Sequence, residues 1–156
     1  MNSTNTIRLA TPEEAPLLSD LAFASKAYWG YPPEFMEDCR EELQVDPADC
    51  KAGLVTVTEE ENGIIAGYYR LAGQAPIGEL ADLFIQPEHI GSGIGKELLL
   101  HATSRARMLG MTALEIHADP HAEGFYSHLG AERIGFIHSG SISGRLLPKL
   151  LLRIDN

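Results

Sequence analysis

Apolar positions along this chain change spacing several times, and each change predicts an element. Thr6 to Ala10 alternates and reads as a first strand. At Thr11-Pro12-Glu13-Glu14 the pattern becomes a helix start, with Thr at the N-cap, Pro at N1 and Glu at N2 and N3 to complete a capping box. Leu17, Leu18, Leu21 and Ala22 then recur at helical spacing, and the helix should end between Lys26 and Gly30. Tyr28-Trp29-Gly30-Tyr31-Pro32-Pro33 interrupts it. Pro33 to Val45 carries Phe35, Met36, Cys39 and Leu43 at helical spacing, with acids between them, which predicts a second amphipathic helix. Gly53 to Thr58 is a Val/Thr-rich strand, Glu59 to Gly63 a hairpin turn ending in Asn-Gly, and Ile64 to Leu71 the returning strand. After a turn over Gly73 to Gly78, Glu79 to Gln86 makes a further strand. A long helix follows over Gly93 to Leu109, closed by Gly110, with Arg105 and Arg107 near its negative end. Ala113 to His117 should be a strand parallel to the one before that helix. Pro120 to Leu129 reads as a short helix ended by Gly130, and Ala131 to Ser139 and Leu146 to Ile154 as the last strands. The loop between those strands, Gly140 to Arg145, is flexible in composition and open to closing over a site. Neither a repeat nor a linker interrupts the pattern, so one α/β domain over residues 1–156 is expected.

Composition narrows the class. The chain has 156 residues, 44% of them hydrophobic and 22% charged, as an ordinary globular protein has. No apolar run approaches the roughly 20 residues of a membrane helix, so no membrane partner is expected. Met1 to Thr6 is polar and lacks a signal-peptide core. The two cysteines suggest no disulfide framework, so a cytoplasmic location is the expectation. Cys39 falls on an apolar helix side and reads as packing. Cys50 lies in a polar connection with no evident activating base. A net charge of −10 disfavours nucleic acid as a partner. The imbalance is confined to residues 1–88, which hold 5 Lys/Arg against 16 Asp/Glu, while residues 89–156 hold 7 against 6. The acidic half reads as a solvated surface, or as a field that steers a cationic acceptor. Among six histidines, His117-x-x-x-His121 has a metal-like interval, but no third ligand is near in sequence, and no metal is expected.

The densest chemical signal is Ile85-Gln-Pro-Glu-His-Ile-Gly-Ser-Gly-Ile-Gly-Lys96. Pro87 stops the strand because it has no N–H to donate. Gly91, Gly93 and Gly95 then open a helix whose first amides lack partners and whose dipole is positive there. Glycines remove the Cβ atoms that would keep a ligand off the backbone. The product is a pocket for phosphate oxygens. The dinucleotide pattern G-x-G-x-x-G fails, since the sixth position from Gly91 is Lys96. The P-loop fails as well, since Gly95-Lys96 is followed by Glu97. The spacing that fits is x-x-x-G-x-G over Ile90 to Gly95, between a strand and a long helix. Here the chain resembles the GNAT acetyltransferases, which hold the pyrophosphate of acetyl-CoA on such a turn. A second stretch strengthens the likeness. Asp119-Pro-His-Ala-Glu-Gly-Phe-Tyr-Ser-His-Leu-Gly-Ala131 resembles the family motif N-x-x-A-x-x-F-Y-x-x-x-G-F, with Ala122, Phe125, Tyr126 and Gly130 in register. Asp119 replaces the usual Asn, Ala131 the usual aromatic, and Ile90 the usual Gln or Arg. The likeness covers nearly the whole chain, though its first third matches only in pattern.

The resemblance implies a GNAT (acyl-CoA N-acyltransferase) fold, a central mixed and mostly antiparallel sheet flanked by helices, with its core at about residues 6–154. It implies acetyl-CoA as co-substrate and an amine on a small molecule or peptide as acceptor. Amides of Leu83, Phe84 and Ile85 would pair with the pantetheine arm like an added strand. Those of Gly91, Ser92, Gly93, Ile94, Gly95 and Lys96 would take the pyrophosphate, the Lys96 side chain either adding charge or standing in solvent. Asp119 is carried as a cofactor-side position and also reads as the N-cap before Pro120. Tyr126 aligns with the tyrosine whose hydroxyl approaches the CoA sulfur, where it would act as general acid. An alkylamine has a pKa near 10, so a base must take its proton. Glu79, eleven residues before Ile90, is the candidate, with Asp82 or a water relay as its competitors. Tyr28, Trp29 and Tyr31 would wall the acceptor pocket, or else plug the loop onto the core. No activated nucleophile is visible, so transfer would be direct, in a ternary complex. The rival is a non-catalytic acyl-CoA-binding domain, and a longer acyl chain is a further option. Late strands often pair between subunits in such proteins, so a homodimer is admitted.

Overall fold

The computed structural model describes residues 5–154. Its seven strands line up in the order β1-β2-β3-β4-β5-β7-β6. They are β1 (Thr6–Leu9), β2 (Val55–Glu59), β3 (Ile65–Gln74), β4 (Ile77–Ile85), β5 (Ala113–His117), β6 (Glu132–His138) and β7 (Leu146–Arg153). Five helices accompany them: α1 (Ala15–Ala27), α2 (Pro33–Cys39), α3 (Pro47–Lys51), α4 (Ile94–Met108) and α5 (Glu123–His128). The expected mixed α/β class is therefore the observed one, and the strands fall within a few residues of their expected bounds. The chain forms two compact units. The first holds the residues up to Arg70 and Asp82–Leu99, and the second holds Leu71–Ala81 and the residues from Leu100 onward.

In the first unit, β1 pairs antiparallel with β2 and β2 with β3. Leu18, Leu21 and Ala22 of α1 bury against Val55 and Val57 of β2 and Tyr68 of β3. This is the helical stripe on a strand face that the spacing predicts. The helix entry is tied down by charge. The Thr11 N–H donates to Glu14 Oε1 at 2.8 Å, and the Arg8 guanidinium donates to both Glu14 oxygens at 3.0 and 2.8 Å and to Glu59 at 3.0 Å. One arginine thus links β1, the capping box and β2.

Two expectations fail in this unit. The second helix ends at Cys39 rather than Val45. Val45 is buried, and its N–H donates to Ser19 Oγ at 2.8 Å, a bond to α1 that takes the place of a helical one. Cys50, expected in a polar connection, is buried on the short helix α3, and burial pushes its thiol pKa up. The start signals for α3 are in the sequence, because Asp46 accepts from the Ala48 N–H at 2.9 Å and Pro47 follows it.

Gly67 sets how closely β3 meets β4. A Cβ there would lie 2.9 Å from Phe84 O and from Ile85 Cδ1, and 3.1 Å from Leu98 Cδ1. Only glycine permits that approach.

In the second unit, β4 pairs parallel with β5 through Ile77↔Ala113, Gly78↔Leu114 and Glu79↔Glu115. β5 runs antiparallel to β7, and β7 to β6. Leu114, Ile116 and Leu150 are fully buried there. The β3–β4 turn is tighter than expected, since β3 continues to Gln74 and β4 begins at Ile77. The short helix of the second motif is split into a 3-10 turn over Pro120–Ala122 and α5. The loop read as flexible is cross-linked internally. Ser139 N–H donates to Arg145 O at 2.8 Å, and the Ser141 and Ile142 amides donate to Ser139 Oγ at 3.3 and 3.1 Å.

The Arg8 node predicts a pH signature. Its hydrogen bonds hold the Glu14 carboxyl down to about 2, against an ordinary 4.5. The unfolded chain therefore binds the extra proton, and stability rises with pH. Glu14→Gln should lower stability by about 1–2 kcal/mol at pH 7, a figure discounted for solvent screening. The gap between variant and parent should shrink as pH falls from 4.5 towards 2. Urea midpoints across pH 2–7 measure it, and a pH-independent gap would refute the assignment.

Candidate active site

β4 is the element that carries most of the expected site residues, and its main chain decides what they offer. Gln86 N–H donates to Ala66 O at 2.8 Å, and Phe84 O abuts Gly67, so the main chain of Phe84 and Gln86 faces β3. Along an antiparallel strand these directions alternate. Leu83 and Ile85 therefore turn their amides and carbonyls to the opposite edge. There the Ile85 N–H meets Ser25 Oγ, at 3.4 Å. Of the three residues expected to pair with an added strand, Leu83 and Ile85 are oriented for it, and the main chain of Phe84 is not.

A 3-10 turn over Pro87–His89 ends the strand, and two glycines then bend the chain into α4. Gly91 and Gly93 have φ of +88° and +94°, left-handed values that a side chain resists. The space a Cβ would take at either one is open. The amides of Gly91, Gly93, Ile94, Gly95 and Lys96 have no backbone acceptor among the described residues, as a helix start dictates. Ser92 departs from expectation, since its N–H donates to His89 O at 3.1 Å and its hydroxyl donates to the same carbonyl. It shapes the turn and brings no amide to a ligand. Buried Ile94 anchors the helix start, while the Lys96 side chain is exposed. His89 Nε2 lies 3.1 Å from Glu60 Oε1 and so ties the turn to the β2–β3 hairpin. A bare left-handed glycine cradle with five amides available fits a diphosphate group.

Also in the first unit are the three aromatics. Tyr28 and Trp29 are 53% and 39% exposed and meet edge to face at 5.2 Å between centroids, which disfavours the plug reading for both. Tyr31 instead stacks on Phe35 at 4.2 Å, with Lys26 Nζ 5.2 Å from its ring.

The two carboxylates of β4 have different fates. Asp82 Oδ2 accepts from Arg70 Nε at 3.0 Å and from the Tyr68 hydroxyl at 3.4 Å, while Asp49 stands 3.7 Å from Arg70. Burial raises the Asp82 carboxyl pKa against the pull of Arg70, and burial pushes the Tyr68 phenol well up. This is a knot within the sheet, and it holds the competitor base in place as a structural ion pair. The sequence reading noted Asp82 but missed Arg70, whose signal was a lone arginine in an otherwise apolar strand.

Glu79 lies in the second unit and is 39% exposed. Its parallel register with Glu115 puts both side chains on one face of the sheet. His117, two residues on, shares that face, with Nε2 2.8 Å from Glu115 Oε1 and Nδ1 4.0 Å from Glu79 Oε2. Lys149, opposite His117 on β7, places Nζ 3.6 Å from Glu115 Oε1. The His117 hydrogen bond, followed by Lys149, lowers the Glu115 carboxyl pKa. Sequence reading missed this cluster, although Glu115 and His117 stand at strand-face spacing. Asp119 is the expected cap, since Oδ1 accepts from the His121 N–H at 2.9 Å and faces His121 Nδ1 at 3.0 Å. Its Oδ2 faces Arg145 at 3.5 Å. Tyr126 is buried on α5, edge-on to Phe125 at 5.1 Å. His117 and His121 keep separate partners, and among the described residues no group of three or more His, Cys, Asp or Glu side chains stands where it could hold a metal ion.

A strand, a left-handed glycine turn and a helix start in that order match a known family. The model of the acetyltransferase (GNAT) domain fits residues 34–142. The chain belongs to the GNAT acetyltransferases. It is 30% identical to an aminoglycoside N(6')-acetyltransferase type 1 of Stenotrophomonas maltophilia, over 86% of this chain and 87% of that one. In fold it is similar to a paiA N-acetyltransferase of Thermoplasma acidophilum solved with coenzyme A, at a TM-score of 0.78 and 20% identity over 96% and 99% of the two chains. It is likewise similar to an acetyltransferase of Salmonella typhimurium solved with acetyl-CoA, at a TM-score of 0.69 and 20% identity over 99% and 96%. No helix among the described residues is long and apolar enough to cross a membrane.

The Asp82 knot yields a stability prediction for this GNAT chain. Arg70→Leu strands a carboxylate whose side chain is only 17% exposed. It should cost about 3 kcal/mol, more than a surface ion pair is worth. Thermal melts of Arg70→Leu and of the double variant with Asp82→Leu check it. The double variant should recover part of the loss, and equal melting of parent and single variant would refute the knot.

Proposed function

We propose that this chain moves an acetyl group from acetyl-CoA to the amine of a small molecule, by direct transfer in a ternary complex. The observation that carries the reading is the glycine cradle on α4, with free amides and open space where side chains would stand. The aminoglycoside acetyltransferase relative supports a small-molecule acceptor.

The roles divide among named groups. Gly91, Gly93, Ile94, Gly95 and Lys96 offer main-chain donors to the diphosphate, where a helix dipole adds to them. Leu83 and Ile85 hold the pantetheine arm by strand-like pairing. Acetyl-CoA supplies the thioester that gives up the acetyl group. Glu79 takes the proton that an amine must lose before it can attack, and Tyr126 donates its phenolic proton to the departing sulfur. General acid–base help of this kind adds roughly 10²–10⁴-fold, on top of the gain from holding the reactants side by side. Tyr28 and Trp29 present exposed rings to the acceptor, where a cationic amine is favoured over an aromatic face. The Ile90 position, polar in most of the family, leaves the diphosphate to main-chain donors alone.

Two measurements test this. Gly93→Val forces a branched side chain to φ +94° and into the open space of the cradle. It should weaken CoA binding at least about 10-fold in calorimetric titration, since a left-handed β-branched residue costs more than about 1–2 kcal/mol. Unchanged affinity would sink the cradle. Thiol release from acetyl-CoA, screened over aminoglycosides, other amines, amino acids and peptides, should identify a small-molecule acceptor. With it, Tyr126→Phe should lose about 10²-fold in kcat while CoA affinity stays within a few-fold. Full turnover in that variant would remove Tyr126 as the acid, and an absence of turnover with every amine would remove the reaction.

A further inference from the structure

The Glu79–His117–Glu115–Lys149 cluster does more than a surface ion network requires. A carboxylate only accepts hydrogen bonds, so the 2.8 Å contact to Glu115 fixes the proton of His117 on Nε2. Lys149, at 3.6 Å from the same oxygen, helps keep Glu115 ionised in that role. The other ring nitrogen, Nδ1, is left with its lone pair and stands 4.0 Å from Glu79 Oε2. A carboxylate that orients an imidazole, with the free nitrogen aimed at a reacting group, is a proton-handling arrangement. All four side chains share one face by register, and each is partly exposed, at 28% for His117 and 39% for Glu79. The charged groups that face the imidazole are Glu79 from β4, Glu115 from its own strand and Lys149 from β7.

We propose that His117 is a positioning residue that acts through Glu79, relaying to water the proton that Glu79 takes from the acceptor, with Glu115 setting its tautomer. The inference rests on the acetyl-transfer reading above. The protons balance. An acceptor ammonium loses one proton to Glu79 Oε2, which passes it to His117 Nδ1 through a side-chain rotation or one water, and the imidazolium releases it to solvent. As the new N–C bond forms and the C–S bond breaks, nitrogen gives up a second proton by the same route. Tyr126 gives one to sulfur and is reprotonated from solvent. One net proton leaves per turnover when the acceptor enters as ammonium.

The test uses the whole protein and the best acceptor from the amine screen. His117→Gln keeps a donor for Glu115 but cannot take up and pass on a proton. It should lose about 10–100-fold in kcat/KM, with CoA affinity unchanged. In His117→Ala, added imidazole should restore turnover, which a purely structural role would not allow. Ring ¹⁵N shifts of the free protein should show Nε2 protonated and Nδ1 bare, a reading that needs no acceptor. The proposal is overturned by an intact rate in His117→Gln, or by a proton on Nδ1. If CoA does not bind the parent at all, the acetyl-transfer reading falls and the relay with it. If CoA binds and only the His117 variants are silent, the relay alone falls.

Discussion

The strand β4 can serve only one neighbour at a time with each main-chain group, and that constraint governs what this chain offers a ligand. Phe84 and Gln86 spend their groups on β3, which Gly67 admits to a distance no side chain would allow. Leu83 and Ile85 are thereby turned outwards, because directions alternate along an extended chain. The register with β5 covers Ile77 to Glu79, so the outward groups further along β4 fall beyond it. The strand then ends in a turn built from left-handed glycines, whose bends expose amides at the start of α4. Outward strand groups are thus followed, a few residues on, by exposed helix amides, and both are main-chain groups, so side-chain identity matters little to what they offer.

Side chains matter where protons move, and β4 shows how environment assigns their parts. Asp82 and Glu79 are three residues apart on one strand. Asp82 is buried beside Arg70 and Tyr68, where burial raises its pKa even against a guanidinium. Releasing it for proton transfer would strand Arg70, so the sheet pins it. Among the described residues Glu79 has no guanidinium partner and stands near an imidazole instead. Its exposure leaves room for an acceptor and for water. The difference between a pinned carboxylate and an accessible one lies in the partner and the solvent, not in the residue type or the strand.

Local signals were legible where a single residue type enforces a conformation. Gly91, Gly93 and Gly110 take left-handed φ, and Thr11, Pro12 and Glu14 build the helix entry, as their identities require. Hydrophobic spacing and the turn residues between the runs located the seven strands, although β2 is buried on both faces and β6 exposes Ile134 and Phe136. The spacing overran α2, because Leu43 and Val45 keep an apolar spacing after the helix has ended; buried Val45 docks on Ser19 across 26 positions, a bond no local pattern contains. It missed α3, where Asp46 and Pro47 announce a helix too short to show a period. The long-range charge nodes were illegible for the same reason. Arg8 meets Glu59, and Arg70 meets Asp82 and Asp49, only once the strands are paired.

The His117 cluster falls between these cases. Its spacing within β5, Glu115 then His117, is readable as one strand face. Its meaning depends on the register with β4 and β7, which brings Glu79 and Lys149 alongside. A slip of one residue in either pairing would turn Glu79 or Lys149 to the other side of the sheet and leave an ordinary surface histidine. The hydrophobic pattern fixes that register, because Leu114, Ile116 and Leu150 are fully buried and tolerate no slip. Core packing that carries no chemistry therefore decides which polar groups meet on the opposite face. The same buried leucines and isoleucine that stabilise the second unit set the geometry in which a carboxylate, an imidazole and a second carboxylate stand in line.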